Sequence, residues 1–174
     1  MLLQAKQAAT EDRSSPDEAG EAPVFMLERH LFFWVSQVLD RRDQQLAAAL
    51  RPFCLRVAEW RALAALYSRK RLSMTELADL TNIERTTLSR NVDRMVRGGW
   101  INRLTDTSDA RVTRLSLTAS GERLFARVWP AIVAVNDVAM AGVPEPAVDM
   151  ALWALSQMCR NFESLGGRGQ REIA

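Results

Sequence analysis

Four consecutive pieces between residues 73 and 122 decide the fold. They are Ser73-Met74-Thr75-Glu76-Leu77-Ala78-Asp79-Leu80-Thr81, Ile83-Glu84-Arg85-Thr86-Thr87-Leu88-Ser89-Arg90-Asn91-Val92-Asp93-Arg94-Met95, Gly98-Gly99-Trp100-Ile101, and TDTSDARVTRLSLTASGE from Thr105 to Glu122. Ser73 followed three residues later by Glu76 is a capping box, which opens a short helix ending near Leu80-Thr81. Asn82-Ile83 is a tight turn, and a second helix runs from about Glu84 to Arg97, where Gly98-Gly99 stops it. The apolar period then becomes two. Ile101 and Leu104 lead into the polar tip Thr105–Ala110, and Val112, Leu115 and Leu117 return as a second strand, so the pattern predicts a hairpin. Thr118 caps the next helix.

Short helix, turn, helix and hairpin together make a helix-turn-helix with a wing. The geometry suits DNA, because the major groove is wide enough to admit a helix that a second helix braces. The helix from Glu84 has the two faces this needs. Leu88, Val92, Met95 and Val96 point inward, while Arg85, Thr86, Ser89, Arg90, Asp93, Arg94 and Arg97 cover the other side. Arg85, Thr86, Ser89 and Arg90, nearest the helix start, suit base edges, whereas Arg94 and Arg97 suit phosphates. Taken singly, each arginine fits a solvated helix face; the brace before it and the wing behind it turn the set toward DNA. From Glu84 to Arg114 seven arginines face four acids, a net of +3, which is modest and fits sequence reading better than bulk charge attraction.

The flanks are helical. Leu27, Leu31, Trp34, Val38, Leu46 and Leu50 form one stripe from Pro23 to Pro52, widened by Phe32, Phe33, Val35 and Leu39. A helix so apolar is buried in a large core or against another chain. A second helix runs from about Val57 to Ser68. Beyond Thr118, Leu124, Val128, Ile132, Val135 and Val138 share a face, with Pro130 expected to bend the helix. The last helix starts near Pro146, and Val148, Leu152, Leu155, Cys159 and Phe162 repeat at steps of four and three, a packing seam. The fold class is mainly α with a small β-hairpin. Five segments result: a flexible N-terminal tail (1–22), an N-terminal dimerisation helix (23–52), a winged helix-turn-helix lobe (53–118), C-terminal dimerisation helices (119–166) and a frayed tail (167–174).

Composition narrows the function. Of 174 residues, 48% are apolar and 25% charged, ordinary globular values. The net charge of +2 divides into −3 over the first 22 residues and +5 over the rest. No stretch has the run of about 18–20 apolar residues that a membrane span needs, and the acidic start is no signal peptide, which points to the cytoplasm. A single histidine, His30, two cysteines without ligand spacing, Cys54 and Cys159, and no glycine-rich phosphate loop argue against an enzyme, a metal site or a cofactor.

The four pieces quoted above resemble the MarR family of bacterial transcription regulators, over roughly Val57 to Leu124. The Asp-x-Arg wing followed by Leu-x-Leu-Thr-x-x-Gly is the most specific part. The resemblance implies a homodimer, built through terminal helices, on a pseudo-palindromic double-stranded DNA operator. It also implies that Arg111 enters the minor groove and that Asp109 braces a basic side chain of the recognition helix, Arg94 being the candidate. Family members often take small aromatic acids between the dimer helices and the DNA-binding lobe. On this ground Arg29, His30, Phe33, Trp34, Trp60 and Trp129 are candidates for the pocket of a small anionic effector, an aromatic acid or its coenzyme A thioester. The resulting expectation is a ligand-released repressor. Two alternatives stay open: a regulator that senses oxidants through cysteine, and an architectural DNA-binding protein without a ligand.

Overall fold

The computed structural model describes residues 26–105 and 113–169, with side chains as far as residue 164. The expected N-terminal tail, the wing tip with Asp109 and Arg111, and residues 170–174 lie outside the described residues. Two compact units are present, Met1–Ser36 and Gln37–Ala174.

The elements follow the order α1 (Leu31–Leu50), α2 (Val57–Arg69), β1 (Leu72–Ser73), α3 (Met74–Thr81), α4 (Arg85–Arg97), β2 (Ile101–Thr105), β3 (Thr113–Leu117), α5 (Ala119–Met140) and α6 (Glu145–Gly169). The first helix begins later than its apolar stripe suggests. A 3-10 turn, Leu27–Arg29, comes first, and His30 is extended between it and α1. Within this N-terminal unit Trp34 Nε1 donates to the Glu28 carbonyl at 2.8 Å, giving the indole its polar partner.

The expected hairpin is two strands of a three-stranded antiparallel sheet of order β1-β3-β2. Leu72 pairs with Leu115 and Ser73 with Arg114, while β2 pairs with β3 from Ile101↔Leu117 to Thr105↔Thr113. A two-residue strand offers no alternation to read, so β1 is invisible to periodicity. Pro130 lies inside α5, which continues through it as one helix. Likewise α6 passes the expected stop at Gly166-Gly167 and ends at Gly169; a glycine within a helix costs only about 1 kcal/mol against alanine and need not end it.

One core unites the second unit. Leu46 and Leu50 of α1, Trp60, Leu63 and Leu66 of α2, Leu77 of α3, Leu88, Val92 and Met95 of α4, Ile101 and Leu115 of the sheet, and Leu124, Val128 and Ile132 of α5 are all buried in it. Full burial of each such side chain contributes about 1.5–3 kcal/mol. No described residue of α6 joins this core. Met150, Leu152, Trp153 and Phe162 are each 60% exposed or more, and α6 leaves α5 at 102°. Among the described residues no single helix is long and apolar enough to cross a membrane.

Candidate nucleic-acid interface

The inner face of α4 is as the spacing predicts: Leu88, Val92 and Met95 are fully buried. Its start is built by Glu84, which caps the helix instead of opening it. The carboxylate accepts the Thr86 N–H and the Thr87 N–H, each at 2.9 Å, and the Thr86 hydroxyl. These donors, with the Thr86 side chain first, hold the Glu84 carboxyl down at about 2. Two residues before Glu84, Asn82, with φ of 51°, is the left-handed residue that ends α3.

The brace helix α3 opens as expected. Ser73 Oγ accepts from Glu76 N at 3.2 Å, and Glu76 Oε2 accepts from Ser73 N at 2.7 Å. The same carboxylate pairs with Arg114 of β3 at 2.6 Å, which ties the wing to α3. Its pKa is lowered by the Ser73 donors first and then by Arg114. A second tie, Arg103 of β2 to Asp93 of α4 at 2.5 Å, fastens the wing to the recognition helix. Neither pair was readable in the sequence, because partners ten and 38 residues apart meet only once the sheet has formed.

The exposed face of α4 thus divides by commitment. Arg85 donates to Thr75 Oγ1 on α3 at 2.6 Å. Arg94 turns inward: its Nε lies 3.3 Å from Glu59 Oε1, and its Nη2 donates to the Cys54 carbonyl at 2.9 Å. Glu59 is fully buried on α2 and accepts the Arg56 N–H at 2.9 Å through Oε2. Oε1 makes no hydrogen bond, so charge rather than a well-aligned donor holds it to Arg94. The brace from Asp109 to Arg94 involves a residue outside the described set, but Arg94 already has this carboxylate. Thr86 is exposed with its hydroxyl on Glu84, and Ser89 is half-buried. Arg90 and Arg97 are exposed, and neither has an ion pair or hydrogen bond among the described residues.

The last motif also has a physical cause. Thr118 Oγ1 donates to the Gly99 carbonyl at 2.6 Å and accepts from Gly121 N at 3.0 Å, while Thr118 N donates to the Trp100 carbonyl at 3.0 Å. A Cβ at Gly121 would lie 2.2 Å from that Trp100 oxygen. Only glycine lets α5 lie so close to the chain leaving α4.

The expected pocket residues fall in both units. Arg29, His30, Phe33 and Trp34 belong to the N-terminal one, where His30 and Phe32 lie 6.0 Å apart and Phe33 and Trp34 meet edge to face at 5.2 Å. Trp60 and Trp129 belong to the second, where both stack on Phe125, at 5.3 and 5.6 Å. Tyr67 stacks on the other side of the set, 3.8 Å from Phe125. Beside this stack is a cavity of about 700 Å³, lined by Ala64, Tyr67 and Ser68 of α2 and Phe125, Ala126 and Trp129 of α5. Lys70 Nζ sits 4.6 Å from the Tyr67 ring. Phe125, Tyr67 and Lys70 escaped the sequence reading, since a phenylalanine on a helix face looks like any core residue.

Comparison with known proteins agrees with this geometry. The MarR family model matches residues 55–113. The HTH-type transcriptional repressor IacR of Pseudomonas putida is 25% identical over 161 residues, covering 92% of this chain and 95% of that one. A MarR-family regulator from Silicibacter pomeroyi has a crystal structure that superposes with a TM-score of 0.72 at 27% identity, over 78% of this chain and 92% of that one. BpsR of Bordetella bronchiseptica, whose DNA binding is regulated by 6-hydroxynicotinic acid, superposes with a TM-score of 0.69 at 16% identity, over 78% and 96% of the two chains. With its helix-turn-helix, its wing strands and the Thr118–Gly121 junction behind them, the chain is similar to the MarR family of DNA-binding transcription regulators, whose model it matches over residues 55–113.

Proposed function

We propose that this chain is a repressor that binds a pseudo-palindromic operator as a homodimer and leaves it when a small aromatic acid binds. The observation that carries the DNA-binding half is the state of α4. Its buried side anchors it, two ion pairs lock the wing to α3 and α4, and Arg90 and Arg97 project with no partner of their own among the described residues. Arg85, Thr86, Ser89 and Arg90 read bases in this proposal, with Arg85 exchanging Thr75 for a base edge, and Arg97 holds phosphate. Arg94 contributes by seating the helix on Glu59. Arg111 occupies the minor groove, with Asp109 supporting the wing.

The homodimer is supported by the apolar side chains that α6 and the first half of α1 leave exposed, among them Leu31, Trp34, Val38, Leu152, Trp153 and Leu155. Two lobes so joined meet successive major grooves. The effector is supported by the open aromatic stack between α2 and α5. Trp129 is 47% exposed, which leaves ring surface for a flat ligand, and Lys70, over the Tyr67 ring, lies within reach of a carboxylate. Binding there shifts the spacing of the two lobes and so the register of the two recognition helices. The BpsR precedent supports a heteroaromatic acid as effector class.

The test is a mobility-shift titration on the region upstream of the chain's own gene, with a scrambled duplex beside it. The proposal predicts preferential retardation of the upstream duplex and its loss on adding 6-hydroxynicotinate or benzoate. Equal binding to both duplexes would refute sequence reading. Retention of the shift with every aromatic acid would refute the effector.

A further inference from the structure

A second cavity, of about 340 Å³, lies away from the aromatic stack. Its walls are Pro52, Phe53 and Cys54 of the α1–α2 connection, Trp100 at the exit of α4, and Ser120, Arg123, Leu124 and Arg127 of α5. Arg123 and Arg127 are one helical turn apart on the same face, both exposed, and neither has an ion pair or hydrogen bond among the described residues. Like charges at this spacing repel and destabilise a helix. An anion placed between them reverses the sign of that interaction, and two guanidinium forks suit the oxygens of a phosphate or carboxylate. The rest of the wall is flat and apolar, from the Trp100 indole, the Phe53 ring, Pro52 and Leu124. A wall that combines two guanidinium groups with apolar rings suits an amphipathic ligand. The wall is also joined to the recognition helix, since the Cys54 carbonyl accepts from Arg94 Nη2 of α4.

We propose that this cavity is a binding site for a small organic anion, a phosphate or carboxylate on a flat apolar body, gripped by Arg123 and Arg127 and covered by Trp100 and Phe53. It is separate from the α2–α5 stack and does not depend on the effector proposed there.

Cys54 in the wall supplies a readout independent of DNA. Its thiol is free and exposed, and Cys159, a second free thiol that lies on the α6 seam read above as the dimer face, reports whether the dimer stays intact. The experiment follows iodoacetamide alkylation of both thiols in the full chain by peptide mass spectrometry. Phenyl phosphate is the probe, with phenol and inorganic phosphate as its two halves. At about ten times its Kd, phenyl phosphate slows Cys54 about tenfold and leaves Cys159 unchanged. Phenol and inorganic phosphate each protect less than the joined molecule. The Arg123→Gln/Arg127→Gln variant alkylates Cys54 at the wild-type rate and is no longer protected. Three results would overturn the proposal. One is no protection at about 10 mM, ten times the weakest Kd (about 1 mM) that such a site would have. Another is equal protection by phenol. The third is protection by a DNA duplex but not by phenyl phosphate, which would assign the two arginines to the DNA backbone.

Discussion

Arg94 shows how the role of a residue depends on its neighbours. On a helical wheel it is one more surface cation of the recognition helix, but its guanidinium is spent on a fully buried carboxylate and a backbone carbonyl. Removing it leaves the buried Glu59 carboxylate group without its ionic partner. Breaking a fully buried pair from one side costs roughly 3–5 kcal/mol, and Arg94 is 37% exposed, so water screens part of the interaction. Arg94→Ala is therefore expected to lose about 1–3 kcal/mol of stability, and Glu59→Gln distinctly less because the solvent-facing arginine can be hydrated. Urea unfolding of both variants checks this order; equal midpoints for Arg94→Ala and wild type would make the pair ornamental. Gly121 carries a second residue-scale expectation. A Cβ there meets a backbone oxygen that cannot step aside, so Gly121→Ala should cost about 1–3 kcal/mol or more. Its chemical denaturation midpoint should fall accordingly, and a midpoint at the wild-type value would mean that α5 moves freely at its start. The motif that held this glycine was readable from sequence; the Trp100 carbonyl that requires it was not, because that contact crosses two elements.

Elements were read well where they carry their own signals. The capping box of α3 and the inward face of α4 are local patterns, and both stand as expected. Three features departed from the local signals: β1 is two residues long and shows no alternation, the apolar stripe of α1 runs past extended His30, and the two glycines that read as a stop do not end α6. The ties between elements, Arg103 to Asp93 and Arg114 to Glu76, are likewise products of the assembled sheet. The start of α4 yields a pH expectation. The folded pKa of Glu84, about 2, lies below its ordinary 4.5. Its cap therefore stabilises the helix in full above pH 4.5 and is lost as pH falls through about 2. The amide shifts of Thr86 and Thr87 followed by NMR should inflect near 2 and not near 4.5. In Glu84→Gln that inflection should vanish. An inflection at the ordinary carboxylate pKa would show that the carboxylate does not hold these amides.

At the scale of the whole molecule, the proposed homodimer rests on the apolar side chains that α6 leaves exposed among the described residues. Met150, Leu152, Trp153, Leu155 and Phe162 are exposed along 13 residues of one helix. An obligate interface covering such a face typically exceeds about 2,000 Å². Light scattering at micromolar concentration should give twice the chain mass. Leu155→Glu should shift it toward the monomer and weaken operator binding in parallel, while a stable wild-type monomer would remove the dimer from the account. The wing tip gives the matching expectation on the DNA side. Arg111→Ala should weaken binding most on operators with A·T-rich flanks and reduce the salt slope by about one unit. A titration at several salt concentrations reads both quantities, and wild-type affinity on every flank would leave the tip a surface turn.

The central claim is that the exposed face of α4 reads a DNA sequence, with Arg90 at a base and Arg97 at a phosphate. The most direct measurement is the affinity of wild type, Arg90→Ala and Arg97→Ala for the upstream duplex and for its scrambled counterpart at one salt concentration. Arg90→Ala should lose about 1–3 kcal/mol on the upstream duplex and little on the scrambled one. Arg97→Ala should weaken both alike, because a phosphate contact carries no sequence information. Equal losses for both variants on both duplexes, or no loss for either, would contradict the claim that this helix reads bases.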